Sequence, residues 1–314
     1  MTTLSIGKLR GLQTCASPRG TFTFLALDHR QNLRKANPRF QDDAELSRFK
    51  LEVTTELASH ATAVLLDPEV SAAQAIAAGA LPGDRGLVVA LESTGYTGEP
   101  TARRAQIIFG WSVEKAKRMG AQMVKLLVYY HPDSPAATEI ENFTASVAVE
   151  CQKHDLSLML EPLSYPLEGD KLSAAEKRRV VVETARRLTA LPGVDLLKAE
   201  FPLAADSPES EWAAACADLN AASRVPWIVL SAAVSFDRYL KQVIAACQSG
   251  ASGIAVGRAV WQEAVPLEGQ ARLDFLRSAA RERLQRLNAL CAALARPWSE
   301  FFTAKAPFDW YKTY

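Results

Sequence analysis

Apolar residues in this chain come in short runs that end on polar or charged side chains, separated by longer stretches with helical spacing. The first run is FTFLALDH (22–29), followed by a predicted helix over 43–60. AVLLDPE (63–69) comes next, with an Ala-rich stretch over 71–81. GLVVALES (86–93) leads into a long predicted helix ending near Gly120. MVKLLVYY (123–130) precedes a helix over 139–154, and LSLMLEPLSY (156–165) precedes one over 173–191. The last three runs are VDLLKAEFP (194–202), PWIVLSAA (226–233) and GIAVGRAVW (253–261). Their helices are predicted over 209–222, 236–249 and 273–294.

Eight strand–helix units in strict alternation, with no linker or break in composition, predict a closed parallel (β/α)₈ barrel. Residues 1–314 read as a single (β/α)₈-barrel domain with a short N-terminal extension and an aromatic C-terminal tail, FDWYKTY (308–314). A doubly wound open sheet is the competing architecture. It would carry a Gly-rich phosphate turn after an early strand, and the first strands have no G-x-G-x-x-G.

Composition narrows the partners. Hydrophobic residues make up 48% of the chain, enough for a large core and against disorder. Lys and Arg number 36 against 35 Asp and Glu, so no overall field steers nucleic acid or an anionic membrane surface. Any anion must be met by local groups, which points to a small-molecule partner. No apolar run approaches the roughly 18 residues a membrane span needs, and residues 1–20 carry no secretory h-region. Cys15, Cys151, Cys216, Cys247 and Cys291 are dispersed and odd in number, reading as reduced, helix-buried thiols of a cytoplasmic protein.

The strand ends carry the candidate chemistry. In a parallel barrel the outward positions face helices and should be apolar, and side chains alternate. That phase sends Leu197 and Phe201 outward and Lys198 and Glu200 inward. It likewise places Lys125 and Glu161 inside, with Asp28, Asp67 and Glu92 near the ends of the first three strands. One charge at a strand end is unremarkable, but six at one rim are costly to bury unless they pair. The histidines, His29, His60, His131 and His154, make no ligand cluster, so neither metal nor cofactor is expected. A lysine in an apolar site beside a second cation has its pKa lowered, and its neutral amine attacks carbonyls. Lys125 and Lys198 sit two strands apart on the same face, with Glu161 between them as a proton shuttle. The loops after the seventh and eighth strands, with Ser231, Gly257 and Arg258, are placed to bind phosphate.

The stretches LALDHR (25–30), LLDPE (65–69), ESTGY (92–96), VKLLVYY (124–130), LEPLSY (160–165), LLKAEFP (196–202), LSAAVS (230–235) and GASGIAVGRAVW (250–261) resemble, in order, the class I tagatose 1,6-bisphosphate aldolases and their sulfofructosephosphate aldolase relatives. The resemblance implies a metal-independent aldehyde-lyase of carbohydrate metabolism. Such an enzyme would cleave a ketose phosphate, or a C6-modified ketose such as a sulfosugar phosphate, into dihydroxyacetone phosphate and an aldehyde. By resemblance, Lys198 forms the imine, Glu161 is the acid/base, and Asp28 and Lys125 support the carbinolamine steps. Ser231, Gly257 and Arg258 match the phosphate-binding stretch. Arg30 lies near the distal group.

Two positions depart from the pattern. His29 stands where the family reads Gln, and Ala233 where it reads Gly, so a Cβ there should obstruct a geometry glycine permits. A non-catalytic sugar-phosphate sensor on the same scaffold is the reading from another class. The joint presence of Lys198, Glu161, Asp28 and Lys125 argues against it, since a sensor could lose the lysine without penalty. The aromatic tail has three roles open to it: packing on a neighbouring subunit of a homo-oligomer, covering the rim, or none.

Overall fold

The computed structural model describes residues 2–312 and 314. Met1 of the N-terminal extension and Thr313 of the tail lie outside the described residues. Eight parallel strands close into a barrel in sequence order: β1 (Phe22–Ala26), β2 (Ala63–Leu66), β3 (Gly86–Ala90), β4 (Met123–Tyr129), β5 (Ser157–Leu163), β6 (Leu196–Ala199), β7 (Trp227–Leu230) and β8 (Gly253–Val256). Each is an apolar run, most of them rich in Val, Leu and Ile, and each is almost wholly buried. Sheets covered by helices on the outside require this. Closure is made by β8 lying against β1, with Phe22 opposite Gly253. Gly253 adopts φ 144°, and a Cβ there would sit 1.9 Å from the Phe22 carbonyl oxygen, so only glycine lets these two backbones meet.

The outer helices follow the predicted alternation, among them Asp43–Leu57, Ala137–Lys153, Ala174–Leu188, Trp212–Ala222 and Phe236–Gln248. Three differences stand out. The long helix expected to end near Gly120 is only Val113–Arg118. The residues before it form an irregular hairpin, with Glu92 bridged to Ile107 and Thr97 to Arg104. The last helical stretch is interrupted by a π-helical turn at Leu276–Ala280, ahead of Arg281–Leu294. The polar N-terminal stretch contains a helix, Ile6–Cys15, started by the Ser5 side chain, which accepts from the Lys8 N–H. It closes the barrel at the N-terminal ends of the strands. Lys8 Nζ there lies 2.7 Å from Asp195 Oδ2, and Gly11 packs on the Gln122 carbonyl.

The tail reaches the same end. Tyr314 Oη accepts from the Gly7 N–H at 2.9 Å, so its described residues lie away from the rim where the charges gather. All five cysteines are free thiols buried on helices, as the sequence suggested. Among the described residues, no helix is long and apolar enough to cross a membrane.

Candidate active site

A cavity of about 780 Å³ opens at the C-terminal ends of the strands, where parallel barrels place their chemistry. Alternation along β4, β5 and β6 delivers Lys125, Glu161 and Lys198 into it, as their phase predicted. Asp28, just beyond β1, and Glu92, just beyond β3, converge from the side.

The two lysines are not equivalent. Lys125 Nζ lies 2.7 Å from Asp28 Oδ2 and 3.3 Å from Glu161 Oε2, and it also pairs with Glu92. Burial alone would depress its pKa. The three carboxylates outweigh burial and hold Lys125 above the ordinary lysine value, as a permanent cation. Burial would raise Asp28, but Lys125 and Lys198 hold it well below the usual carboxylate range. Glu92 goes the other way. Burial, reinforced by Asp28, raises it against the pull of Lys125. Among the described residues Lys198 makes one ion pair, with Glu161 Oε2 at 2.8 Å, the same oxygen that faces Lys125. Glu161 therefore stands between a cation already bound by carboxylates and a lysine at the cavity wall. Lys125 is the second cation on this face, and its charge is countered locally by Asp28, Glu92 and Glu161.

The other strand-end acids separate in role. Asp67 does not line the cavity. It forms a wholly buried pair with Lys50 from helix Asp43–Leu57 and accepts from the Ser71 hydroxyl at 2.6 Å. Glu200 lines the cavity, but it pairs with Lys177 and takes the Ser164 N–H at 2.7 Å. Arg30 also lines the cavity, with its guanidinium bound by Glu69 and donating to the Glu92 carbonyl at 2.8 Å, so its charge is already countered. His29 is a lining residue too. Burial pushes it down to about 3, with Arg258 and Lys198 adding to the effect against Asp28, so it is a neutral imidazole at physiological pH. Its ring packs edge-on to Trp261, and a Cβ on Gly257 would lie 2.9 Å from its Cε1. Gly257 thus gives His29 its space.

Arg258 follows β8 and faces the cavity with no acidic partner among the described residues. Burial lowers its pKa, but a guanidinium stays charged. Ser231, at the end of β7, accepts from the Gly257 N–H at 3.5 Å and ties the two loops together. Ala233 corrects the expectation that a Cβ obstructs this loop. Ala232 (φ 43°) and Ala233 (φ 58°) both occupy the left-handed region, so the glycine-like geometry is kept at the cost of strain. Ala233→Gly is therefore expected to stabilise the fold by about 0.5–1 kcal/mol, the strain relieved less the extra freedom of an unfolded glycine. Equilibrium urea unfolding measures it, and a lower midpoint would show that the loop is unstrained.

Glu92, His29 and the tyrosines Tyr96 and Tyr129 line the cavity but were not singled out as site residues from the sequence. For Glu92 the usable signal was its place beside a strand end facing Lys125. For His29 it was its position next to Asp28.

Comparison with known proteins places this geometry. The profile of the family described as DeoC/LacD family aldolase matches residues 22–263. Tagatose 1,6-diphosphate aldolase 2 of Streptococcus mutans is 30% identical over 95% of this chain and 98% of its own length. Tagatose 1,6-diphosphate aldolase of Lactococcus lactis is 31% identical over 93% and 98%. Among solved structures, an archaeal fructose 1,6-bisphosphate aldolase superposes with a TM-score of 0.60 at 25% identity, covering 90% of this chain and 99% of its own. An archaeal fructose-1,6-bisphosphate aldolase with its catalytic lysine covalently bound to the carbinolamine intermediate superposes with a TM-score of 0.57, also at 25% identity, covering 88% and 99%.

Proposed function

This chain belongs to the DeoC/LacD family of aldolases, and from that we propose that it cleaves tagatose 1,6-bisphosphate, or a closely similar ketose phosphate, through an imine on Lys198. The observation that carries the reading is the division of labour between the lysines. Lys125 is fixed as a cation by three carboxylates, while among the described residues Lys198 is ion-paired with Glu161 alone, at 2.8 Å. The names and shared length of the relatives support a ketose bisphosphate as substrate.

The steps follow from the positions. Glu161 takes a proton from the Lys198 ammonium, and the neutral amine adds to the C2 carbonyl of the open-chain ketose to give a carbinolamine. Glu161 returns the proton to the C2 hydroxyl, which leaves as water, and an iminium forms. Loss of the C4 hydroxyl proton to Glu161 breaks the C3–C4 bond. The bonding electrons pass into an enamine, and the aldehyde departs. Protonation at C3 and addition of water to the imine then release dihydroxyacetone phosphate and the free lysine. Lys125 keeps Asp28 and Glu161 in place and supplies fixed positive charge to oxygens that become negative along this path. Asp28 in turn holds the Lys125 ammonium beside the carbinolamine.

The phosphate on C1, next to the imine carbon, is received by Arg258 with the backbone around Ser231 and Gly257. Arg258→Ala is expected to reduce kcat/KM on a phosphorylated ketose by roughly 10²-fold, the scale of a lost charge-assisted contact. An unphosphorylated ketose should lose far less. Equal losses on both substrates would make Arg258 structural. The reading as a whole is tested by borohydride reduction of the enzyme with dihydroxyacetone phosphate, which should add the reduced ligand's mass to the peptide carrying Lys198.

A further inference from the structure

A bisphosphate or sulfosugar phosphate carries a second anion at its far end. The cations around the cavity can be sorted by whether their charge is already matched. Lys125 is matched by three carboxylates, Lys198 by Glu161, Lys177 by Glu200, and Arg30 by Glu69 and Glu92. Arg258 and Lys35 line the cavity with no acidic partner among the described residues. Arg258, however, sits beside β8 on the imine side, and Lys35 is exposed on the helix Gln31–Ala36 after β1, the strand next to β8. Arg30, expected near the distal group from the sequence, has little charge left to offer.

The remaining guanidinium is Arg103, on the hairpin after β3. It stacks 4.5 Å from the Tyr96 ring centroid, 4.5 Å from that of Tyr165 and 5.5 Å from that of Tyr129. Tyr96 and Tyr129 line this wall of the cavity, and Arg103, not itself a lining residue, packs against both of their rings. Nε of Arg103 donates to the Pro100 carbonyl at 2.9 Å, and the two terminal nitrogens have no acceptor among the described residues. Rings over its faces strip water from them and leave the in-plane N–H edge as the route for a strong contact.

The mounting is firm. Ser134 donates to the Thr101 carbonyl at 2.8 Å, Tyr165 Oη donates to Ser134 Oγ at 2.8 Å, and Arg104 pairs with Glu139 at 2.8 Å. The placement fits as well. Tyr129 ends β4, which is four strands from β8 around the closed ring, diametrically opposite Arg258. A ketose whose C1 phosphate meets Arg258 and whose C2 meets Lys198 extends its other end toward that wall.

We infer that Arg103, held among Tyr96, Tyr129 and Tyr165, is the specificity residue that receives the substrate's distal anion, a phosphate or a sulfonate. The inference rests on the aldolase reading above. The competing role is purely structural, a cation–π clasp that only shapes the hairpin.

The condensation reaction separates the two. Dihydroxyacetone phosphate is supplied as donor with glyceraldehyde 3-phosphate, 3-sulfolactaldehyde or glyceraldehyde as acceptor, to the wild type and to Arg103→Gln and Arg103→Lys. Arg103→Gln should lower kcat/KM for the preferred anionic acceptor by about 10–150-fold, mainly through KM, as loss of a charged hydrogen bond does. Glyceraldehyde should change by less than about threefold, because it never made the contact, and Arg103→Lys should fall in between. A larger loss on the phosphate or on the sulfonate identifies which group the site takes, and either supports the inference. Equal losses on all three acceptors, or no loss, would overturn it. Imine trapping at Lys198 by dihydroxyacetone phosphate alone is followed in parallel. If the wild type traps no imine, the aldolase reading falls. If it traps normally while acceptors are not discriminated, only the role of Arg103 falls.

Discussion

Lys198→Ala is expected to lower kcat by about 10⁴-fold or more and to abolish borohydride trapping, since removing a covalent nucleophile forfeits the route itself rather than one contact on it. The geometry says why this lysine and not its neighbour. Lys125 is ringed by Asp28, Glu92 and Glu161, and for its amine to become neutral three buried carboxylates would lose their common counter-charge. Lys198 needs to pass its proton only to Glu161. The fold should tolerate the change, because Glu161 keeps Lys125 at 3.3 Å when Lys198 is gone. Single-turnover cleavage gives the rate, circular dichroism checks the fold, and peptide mass mapping after reduction locates the adduct. An adduct on the peptide containing Lys125, or trapping that survives in Lys198→Ala, would refute the assignment.

Glu161→Gln should leave substrate binding and imine trapping measurable while turnover drops by roughly 10²–10⁴-fold, the range for loss of a general acid–base group. Glutamine fills the same space and can still hydrogen-bond to both lysines, but it cannot hold a proton between steps. The asymmetry between trapping and turnover is the informative part. A packing defect would lower both, whereas a missing proton carrier stalls the steps that follow attack. Rapid-quench measurement of the trapped fraction alongside steady-state rates resolves the two. Near-normal turnover would move the role to Asp28 or Glu200. Both are less free, since Asp28 is 2.7 Å from Lys125 and Glu200 is committed to Lys177 and Ser164.

Much of this was legible in the sequence because a barrel strand obeys a simple rule: apolar residues outward and the exceptions inward. That rule placed Lys125, Glu161 and Lys198 correctly relative to one another. It failed where a charge's partner comes from elsewhere in the chain. Asp67 has the same strand-end position as Asp28, yet it is matched by Lys50, 17 residues earlier on a helix, and periodicity carries no trace of that pairing. Arg30 shows the same limit of periodicity. It lines the cavity, and the two glutamates that counter its charge lie on other loops. The strand runs were also read too long. In the eighth, GIAVGRAVW, the strand stops at Val256 and Arg258–Trp261 is helical, since an apolar run has no internal mark where sheet pairing ends. The long helix expected before Gly120 was cut to Val113–Arg118 by a hairpin whose glycines, Gly95 and Gly98, take left-handed turns. The helix Ile6–Cys15 was hidden by its weak amphipathicity, since its buried positions, Lys8, Gly11, Leu12 and Cys15, include a lysine and a glycine and give no apolar stripe.

The five buried cysteines give the molecule a set of internal reporters. Burial pushes the thiols of Cys15, Cys151 and Cys216 up to about 12, so a thiol reagent meets almost no thiolate while the protein is closed. Modification must then wait for local opening, and each rate measures how often one region detaches. The cysteines sit on five different helices: the N-terminal plug, the helices after β4, β6 and β7, and the last helix. Peptide-resolved labelling over time would therefore give an order of detachment around the ring, without introducing a single mutation.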